Sequence, residues 1–394
     1  MDPFEKLPEE IFDGILRHID ITDILFKLSL VSKKWYEIIG KSSVCMDKVK
    51  LNLRANRKTD FKERIELLEW MSKKEARKYV HIKSNCLLNE NISLEFYKFL
   101  KTCSSLESLN VRSIKVDQDQ IDKFDELSIP KLESLKLMFV PREVINRFIL
   151  SSCNLKKVIL WNEVPLSYDN LNYLPTDSTI ECVRQFMLNN QYLEELEIQG
   201  RANFYSFFHQ DISSYVKCQL KKFTLKIEMS PQLLTESQEE NFLKFLNTQA
   251  ESLEHVYVDV CGKNILEYIF SKLPQLQSIR FDIELRDPNR FDVKELNLQP
   301  CEKISKFELP YVKLFDDVED YLNLVPNVKH LLIGHIVPRL IDYATTHLLQ
   351  LETLTYRYDD CAAAEGCQGM YDNLKNEKPE INKNIVLSVC NDFL

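Results

Sequence analysis

Ten times along the chain a six-residue phrase returns whose first, fourth and sixth positions are apolar, beginning with Leu106-Glu107-Ser108-Leu109-Asn110-Val111. Further copies start at Leu132, Leu155, Leu193, Leu220, Leu253, Leu276, Ile304, Val328 and Leu351, in steps of 23 to 38 residues. The alternation within each phrase has the period of an extended strand, so positions one, four and six face inward and positions three, five and seven face the opposite way. One such unit cannot bury its apolar row alone. Stacked copies share a continuous core, and that requirement dictates a repeat architecture before any other feature is considered.

A second regularity accompanies the first. Phe99, Phe148, Phe186, Ile269 and Tyr321 each lie seven residues before a phrase and end a helix-like apolar stripe, while Phe245 and Tyr343 lie eight before. Helix and strand therefore alternate in constant register. The pair Val80 and Ile82, and before it Leu51 and Leu53, read as two degenerate leading strands set at 29-residue steps before Leu109 and Val111. A helix over 368–377 and a closing strand over 385–389 are expected to cap the far end, and a loop around Pro165 to Asp177 accounts for the long step from Leu155 to Leu193.

The phrase, its spacing and the alternation with helices resemble leucine-rich-repeat proteins over about three quarters of the chain. Individual repeats depart from the family pattern, because the polar or cysteine residue three places after position six occurs only as Cys261. The resemblance implies an α/β fold in which parallel strands line a concave face and helices a convex one. Residues aimed at the concave face include Arg112, Lys136, Trp161, Tyr257 and Arg280, which are the candidate target-binding residues. Trp161 has the character of a binding hot spot, though packing beneath the loop that follows it is the slightly favoured reading. The arginines are not clustered, so the sequence lends no support to a phosphate-dependent target.

Other classes are disfavoured. A formal charge of −9 and a pI near 5.5 argue against nucleic acid or an acidic membrane surface as the main partner. Only seven glycines occur, and none forms a phosphate-cradling loop or a nucleophile elbow, so no catalytic residues and no cofactor are expected. The eleven cysteines contain no C-x-x-C pair, and His330, His335 and His347 lack the spacing of ligands, so no metal site is expected. Acidic residues crowd the first twenty positions and no later stretch has the length of a membrane span, which points to the cytoplasm or nucleus.

The opening residues form a different kind of unit. Leu7, Ile11, Phe12, Ile15, Leu16 and Ile19 repeat at helical spacing after Pro8, whose fixed φ suits a first turn. Asp20 and Asp23 signal a second start before Ile24, Leu25 and Leu28, and Val31, Trp35, Ile38 and Ile39 share one face of a third helix. So small a module carries more apolar surface than it can shelter, and a partner is implied.

The runs Leu7-Pro8-Glu9-Glu10-Ile11, Asp23-Ile24-Leu25 and Leu30-Val31-Ser32-Lys33-Lys34-Trp35-Tyr36, with Ile15 and Ile19 between the first two, resemble the F-box motif in order and spacing. That resemblance implies a three-helix module docking on a Skp-type adaptor through Leu7, Pro8, Ile11, Ile15, Ile19, Leu25, Leu28, Val31 and Trp35. Some of these positions must also hold the module's own core, and the sequence alone does not divide the two roles. Gly14 departs from a good helix interior, at about 1 kcal/mol relative to alanine.

The organisation expected is an F-box over 1–43 and an irregular leucine-rich-repeat solenoid over 44–394, with about ten clear repeats in 106–360 and capping units at both ends. The implied role is a non-catalytic substrate receptor of a cullin-RING ubiquitin ligase, reached through the Skp-type adaptor and binding an unknown protein target. The alternative is a scaffold whose adaptor contact is regulatory rather than degradative.

Overall fold

The computed structural model describes residues 8–19, 24, 27–28, 31–42, 49–53, 62–69, 79–88, 90–114, 127, 129–150, 152–161, 177–200, 207–226, 234–258, 262–281, 294, 296, 298–309, 318–334, 343–344, 346–357, 373, 376 and 386–390. The chain divides into two compact units. The first comprises 1–194 with 200–207 and 215–218, and the second 195–199 and 208–214 with 219–394.

The first unit opens with helices α1 (Glu9–Leu16) and α2 (Lys33–Lys41). Strands β1 (Val49–Leu53) and β2 (Tyr79–Leu88) precede α3 (Glu90–Lys101), β3 (Ser108–Ile114) and β4 (Ser134–Met138). Helix α4 (Arg142–Leu150), β5 (Lys157–Trp161) and α5 (Asp177–Asn189) follow. The strands β1 to β5 lie in chain order, each parallel to the one before. Parallel neighbours need a crossover of a dozen or more residues, and α3 supplies it between β2 and β3 and α4 between β4 and β5.

In the second unit β6 (Glu195–Gln199) and β7 (Lys222–Lys226) lead to α6 (Glu236–Thr248), β8 (His255–Val258), α7 (Lys263–Lys272) and β9 (Ser278–Phe281). Then come β10 (Lys306–Leu309), α8 (Val318–Asn323), β11 (His330–Ile333), β12 (Thr353–Arg357) and β13 (Val386–Cys390). These eight strands are again parallel and in chain order. An F-box-like helical start followed by parallel strands and crossover helices is the α/β architecture expected of a leucine-rich-repeat array.

Each of the ten strands from β3 to β12 begins at the third position of its phrase. Among the described residues, positions one, four and six are all at most 5% exposed, as with Leu132, Leu135 and Leu137 or Leu276, Ile279 and Phe281. Burial of one such side chain contributes about 1.5–3 kcal/mol. The helices close over this row: Phe99, Phe148, Phe186, Phe245, Ile269 and Tyr321 are all buried.

Aromatic contacts replace part of the aliphatic core in the second unit. There the Phe208 ring meets Phe242 at 5.0 Å and Phe245 at 5.3 Å, and Phe223 meets Phe245 at 5.3 Å. Rings set at these separations gain contact energy beyond the area they bury.

The second position of the phrase carries the pairing one residue ahead of each strand. In the first unit the Glu107 N–H donates to the Val80 carbonyl, Glu133 to Glu107, Lys156 to Glu133 and Glu194 to Lys156, at 2.7–2.8 Å. In the second unit Glu254, Gln277, Ser305, Lys329 and Glu352 each donate to the residue at the same position one repeat earlier, Lys221 being the first acceptor, at 2.8–2.9 Å. These amides are thus paired before the strand proper begins.

Two expectations need correction. Ile82, not Val80, pairs with Leu109, and Leu51 pairs with Ile82, so the leading steps are 31 and 27 residues rather than 29. Val80 instead takes the second-position role, since its carbonyl receives the Glu107 N–H. Tyr343 is half-buried rather than core: its ring stacks on His347 at 4.2 Å and its hydroxyl donates to Asn323. Of the expected 368–377 helix, Asn373 and Asn376 are helical and the remainder lies outside the described residues, as does the expected loop from Pro165 to Thr176; the closing strand is present as β13.

Candidate functional site

Helix α1 starts without a side-chain cap, behind Pro8 at φ −58° and ψ 151°, whose carbonyl receives the Ile11 N–H at 3.1 Å. Helix α2 starts at Ser32, whose hydroxyl oxygen accepts from the Trp35 N–H at 3.2 Å. That cap satisfies one of the orphan amides every helix start leaves. At the far end of α2 the buried Ser42 hydroxyl donates to the Asp13 carboxylate at 2.5 Å, tying the two helices together.

With the helices so placed, Phe12 and Leu16 on α1 and Trp35 and Ile39 on α2 are spaced i, i+4 and become buried together with Ile24. The Phe12 and Trp35 rings meet edge to face, 5.3 Å apart at 86°. Trp35, read in the sequence as a partner contact, is therefore a core residue, 8% exposed. Its place on the face of α2 that carries Ile39 is the reason.

The rest of the apolar set points elsewhere. Ile11 is 48% and Val31 65% exposed, Pro8 is exposed, and Ile15, Ile19 and Leu28 are half-buried. Leu7 and Leu25 lie outside the described residues. Apolar area left in water forfeits roughly 25 cal/mol per Å², a deficit a docking partner removes. Residues 4–46 match the family model of the F-box domain.

The chain carries an F-box domain. F-box domains bind Skp-type adaptors of cullin-RING ligases and generally belong to non-catalytic ligase subunits. No curated protein matches the chain.

Beyond the F-box, the strand positions that face away from the core form cross-strand rows, paired residue by residue. In the first unit one row reads Lys50, His81, Ser108, Ser134 and Lys157, and the next Asn52, Lys83, Asn110, Lys136 and Ile159. Arg112 is exposed at the seventh phrase position, and Met138 pairs with Trp161. Every one of these residues is half-buried or exposed, and none is acidic. Burial and the Lys50 charge lower the His81 pKa, with Glu107 opposing, so this face carries a mostly neutral imidazole among its cations.

In the second unit the equivalent rows are Glu195, Lys222, His255, Ser278, Lys306, His330, Thr353 and Glu197, Thr224, Tyr257, Arg280, Glu308, Leu332, Thr355. Here opposite charges meet: Lys306 lies 2.5 Å and Arg280 3.8 Å from Glu308, and Lys226 lies 3.6 Å from Glu197. Tyr257 sits between Lys222 and Lys306, each ammonium under 6 Å from the ring centroid, and its hydroxyl lies 3.1 Å from that of Ser278. The long side chains cover the short ones. Thr224 and Ser278, expected on the open face, are 2% exposed.

Trp161 ends β5 half-buried, its ring 5.0 Å from Phe139. Phe139 has φ 54°, a left-handed conformation that costs a residue with a Cβ about 1–2 kcal/mol. The Phe139 N–H donates to the Trp161 carbonyl at 2.7 Å and its own carbonyl receives Ile114 at 3.4 Å, which holds the strained residue in place. The Trp161 indole nitrogen is buried without a hydrogen-bond partner.

The histidines do not converge. The His330 ring bonds Thr353 at 2.8 Å and His347 bonds Thr346 at 2.8 Å, while His335 lies outside the described residues. Among the described residues no group of three His, Cys, Asp or Glu side chains is placed to hold a metal, and no helix is long and apolar enough to cross a membrane. Burial pushes the Cys103 thiol up to about 12 and Cys218 up to about 11, as befits small hydrophobes rather than nucleophiles.

The sequence reading overlooked Lys50, His81 and Lys83. Their signal was present, since they alternate with Leu51, Leu53 and Ile82 in the leading strands, but those strands lack the full phrase and their outward positions went unread.

Proposed function

We propose that this chain is the substrate-recognition subunit of a Skp–cullin–F-box ubiquitin ligase. The F-box spans 1–43 and the strand–helix array over 44–394 binds a protein target. The observation that carries the reading is Ile11 at 48% and Val31 at 65% exposure on a domain whose family docks on an adaptor. Pro8, Ile15, Ile19 and Leu28 extend that contact, with Leu7 and Leu25 joining it, while Trp35 supports it from the core. Arg112, Lys136 and Trp161 in the first unit, and Tyr257 and Arg280 in the second, are the residues assigned to the target.

The mechanism is proximity. A target held on the strand face is kept near the ubiquitin-loaded enzyme, and the gain is effective concentration rather than bond chemistry. Ile11→Asp with Val31→Asp is expected to abolish co-purification of the adaptor while leaving the strand array folded, and adaptor recovery at the unsubstituted level overturns the assignment. A target whose half-life lengthens on depletion of this chain fits a degradative receptor; an unchanged half-life points to the scaffold reading.

A further inference from the structure

The two strand faces differ in how their charges are met. In the second unit the cations Lys226, Lys306 and Arg280 have carboxylates of the same face within 4 Å. In the first unit Lys50, Lys83, Arg112, Lys136 and Lys157 stand on strands β1–β5 whose described outward positions include no acidic residue, and the first four make no ion pair among the described residues. Two carboxylates lie just ahead of the strands: Glu107 precedes β3, and Glu133, which precedes β4, is already bridged to Lys156 at 2.9 Å. A concentration of positive charge within a chain of net charge −9 is a field that attracts an acidic partner.

We propose that the β1–β5 face binds an acidic segment of the target protein, with a bulky apolar side chain seated at the Trp161 end. This rests on the substrate-receptor reading above and names the class of sequence received.

Four steps of about 4.8 Å between parallel strands separate β1 from β5, roughly 19 Å. An extended peptide covers that distance with roughly six residues. Along the path, Lys83 and Lys136 stand in one row with Asn52 and Asn110, so carboxylates meet ammonium groups and backbone amides meet carboxamides. At the end of the path Ile159, Met138 and the Trp161–Phe139 pair form an apolar corner.

Nucleic acid fits the same cations less well. Stacking platforms on such proteins recur along the strand path, whereas here the aromatic rings gather at one corner. A protein segment uses both the charge and the single corner.

The test uses the full chain bound to its adaptor and three labelled probes: hexaglutamate flanked by phenylalanine, the same peptide with glutamine replacing glutamate, and a short single-stranded DNA. The glutamate peptide is expected to bind, weakening roughly tenfold between low and physiological salt as exposed charges become screened. Lys83→Glu with Lys136→Glu is expected to weaken it by a further factor of roughly ten or more. Lys83→Gln with Lys136→Gln should give a smaller loss of the same sign.

Lys222→Glu on the second unit should leave the affinity unchanged. Equal binding of the glutamine peptide, tighter binding of the DNA, or no effect of the β2 and β4 substitutions overturns the proposal. Adaptor co-purification is read on the same samples. Adaptor retained with no acidic-peptide binding sinks this inference alone, whereas adaptor lost from the unsubstituted chain sinks the receptor reading.

Discussion

The side-chain oxygen of Asn190 accepts the backbone N–H of Leu155 at 3.0 Å, across thirty-five residues of sequence. In most repeats the first-position amide bonds a carbonyl three residues back, as Leu106 does to Cys103 and Leu132 to Ile129. Leu155 uses a side chain from the following repeat instead. Asn190 is fully buried and also donates to the carbonyls of Ser152 at 3.1 Å and Phe186 at 2.9 Å. In the second unit Gln249 repeats the device, accepting the Leu220 N–H at 2.7 Å.

Replacing Asn190 by alanine strands the Leu155 amide and takes one hydrogen bond each from the Ser152 and Phe186 carbonyls, the latter keeping its bond from the Asn190 backbone N–H. One buried unsatisfied group costs about 1–3 kcal/mol. Asn190→Ala is therefore expected to lower the thermal midpoint by several degrees, and Asn190→Asp to do no better because it restores the acceptor and loses both donors. Calorimetry on the two variants checks this; equal stability of the aspartate variant and the parent would contradict the assignment of donors.

The F-box core and its outward face separate by mutation. Trp35→Ala empties a buried site against Phe12, and large-to-small changes of that kind cost about 3–5 kcal/mol. It should lose the adaptor by unfolding the helices. Ile11→Asp and Val31→Asp should lose it with the helices intact, and circular dichroism alongside adaptor pull-down distinguishes the two routes.

Gly14 lies inside α1, is exposed, and has no atom within 4 Å of where a Cβ would stand. Gly14→Ala should stabilise the isolated helix pair by about 1 kcal/mol through helix propensity. A destabilised variant in the absence of the adaptor would show that the exposed position is not free.

His255 is held below its ordinary pKa, chiefly by burial and then by Lys222 and Lys306, with Glu254 and Glu195 opposing. A lowered imidazole pKa means that the unfolded chain takes up the proton first. Its contribution to stability is present above the unfolded value near 6.5 and is lost as the pH falls through and below it. Urea midpoints measured from about pH 7.5 to 5.5 should fall in the parent, and fall less in His255→Gln.

Thiol accessibility offers an independent check on the core. Cys153 is exposed whereas Cys103 and Cys218 are buried with raised pKa values. Brief alkylation of the native chain at about pH 8 should mark Cys153 and spare the other two, with mass mapping as the readout. Prompt labelling of Cys103 would place it outside the helix–strand core.

The strands were legible because a period-two apolar row is a local property. Leu106, Leu109 and Val111 announce β3 without reference to anything else in the chain. The F-box was legible for a similar reason, since its helices carry their spacing within forty residues. Asn190 and Gln249 were not, because a polar residue ahead of a phrase gains its role only when a neighbouring repeat leaves an amide without a carbonyl. The division of the F-box face was equally hidden: Trp35 and Val31 are spaced i, i+4 on the sequence, and only the placement of α1 sends one inward and the other to water. The β1–β5 charge pattern depends on which lysine stands beside which across strands, a register the degenerate leading strands do not spell out.

Chain-order pairing has a consequence for biosynthesis. Within each unit every strand leans on the one synthesised just before it, so a repeat leaving the ribosome finds its docking surface already built and need not wait for distant sequence. Nucleation at one end and vectorial growth suit such an array, and the F-box helices emerge ahead of it.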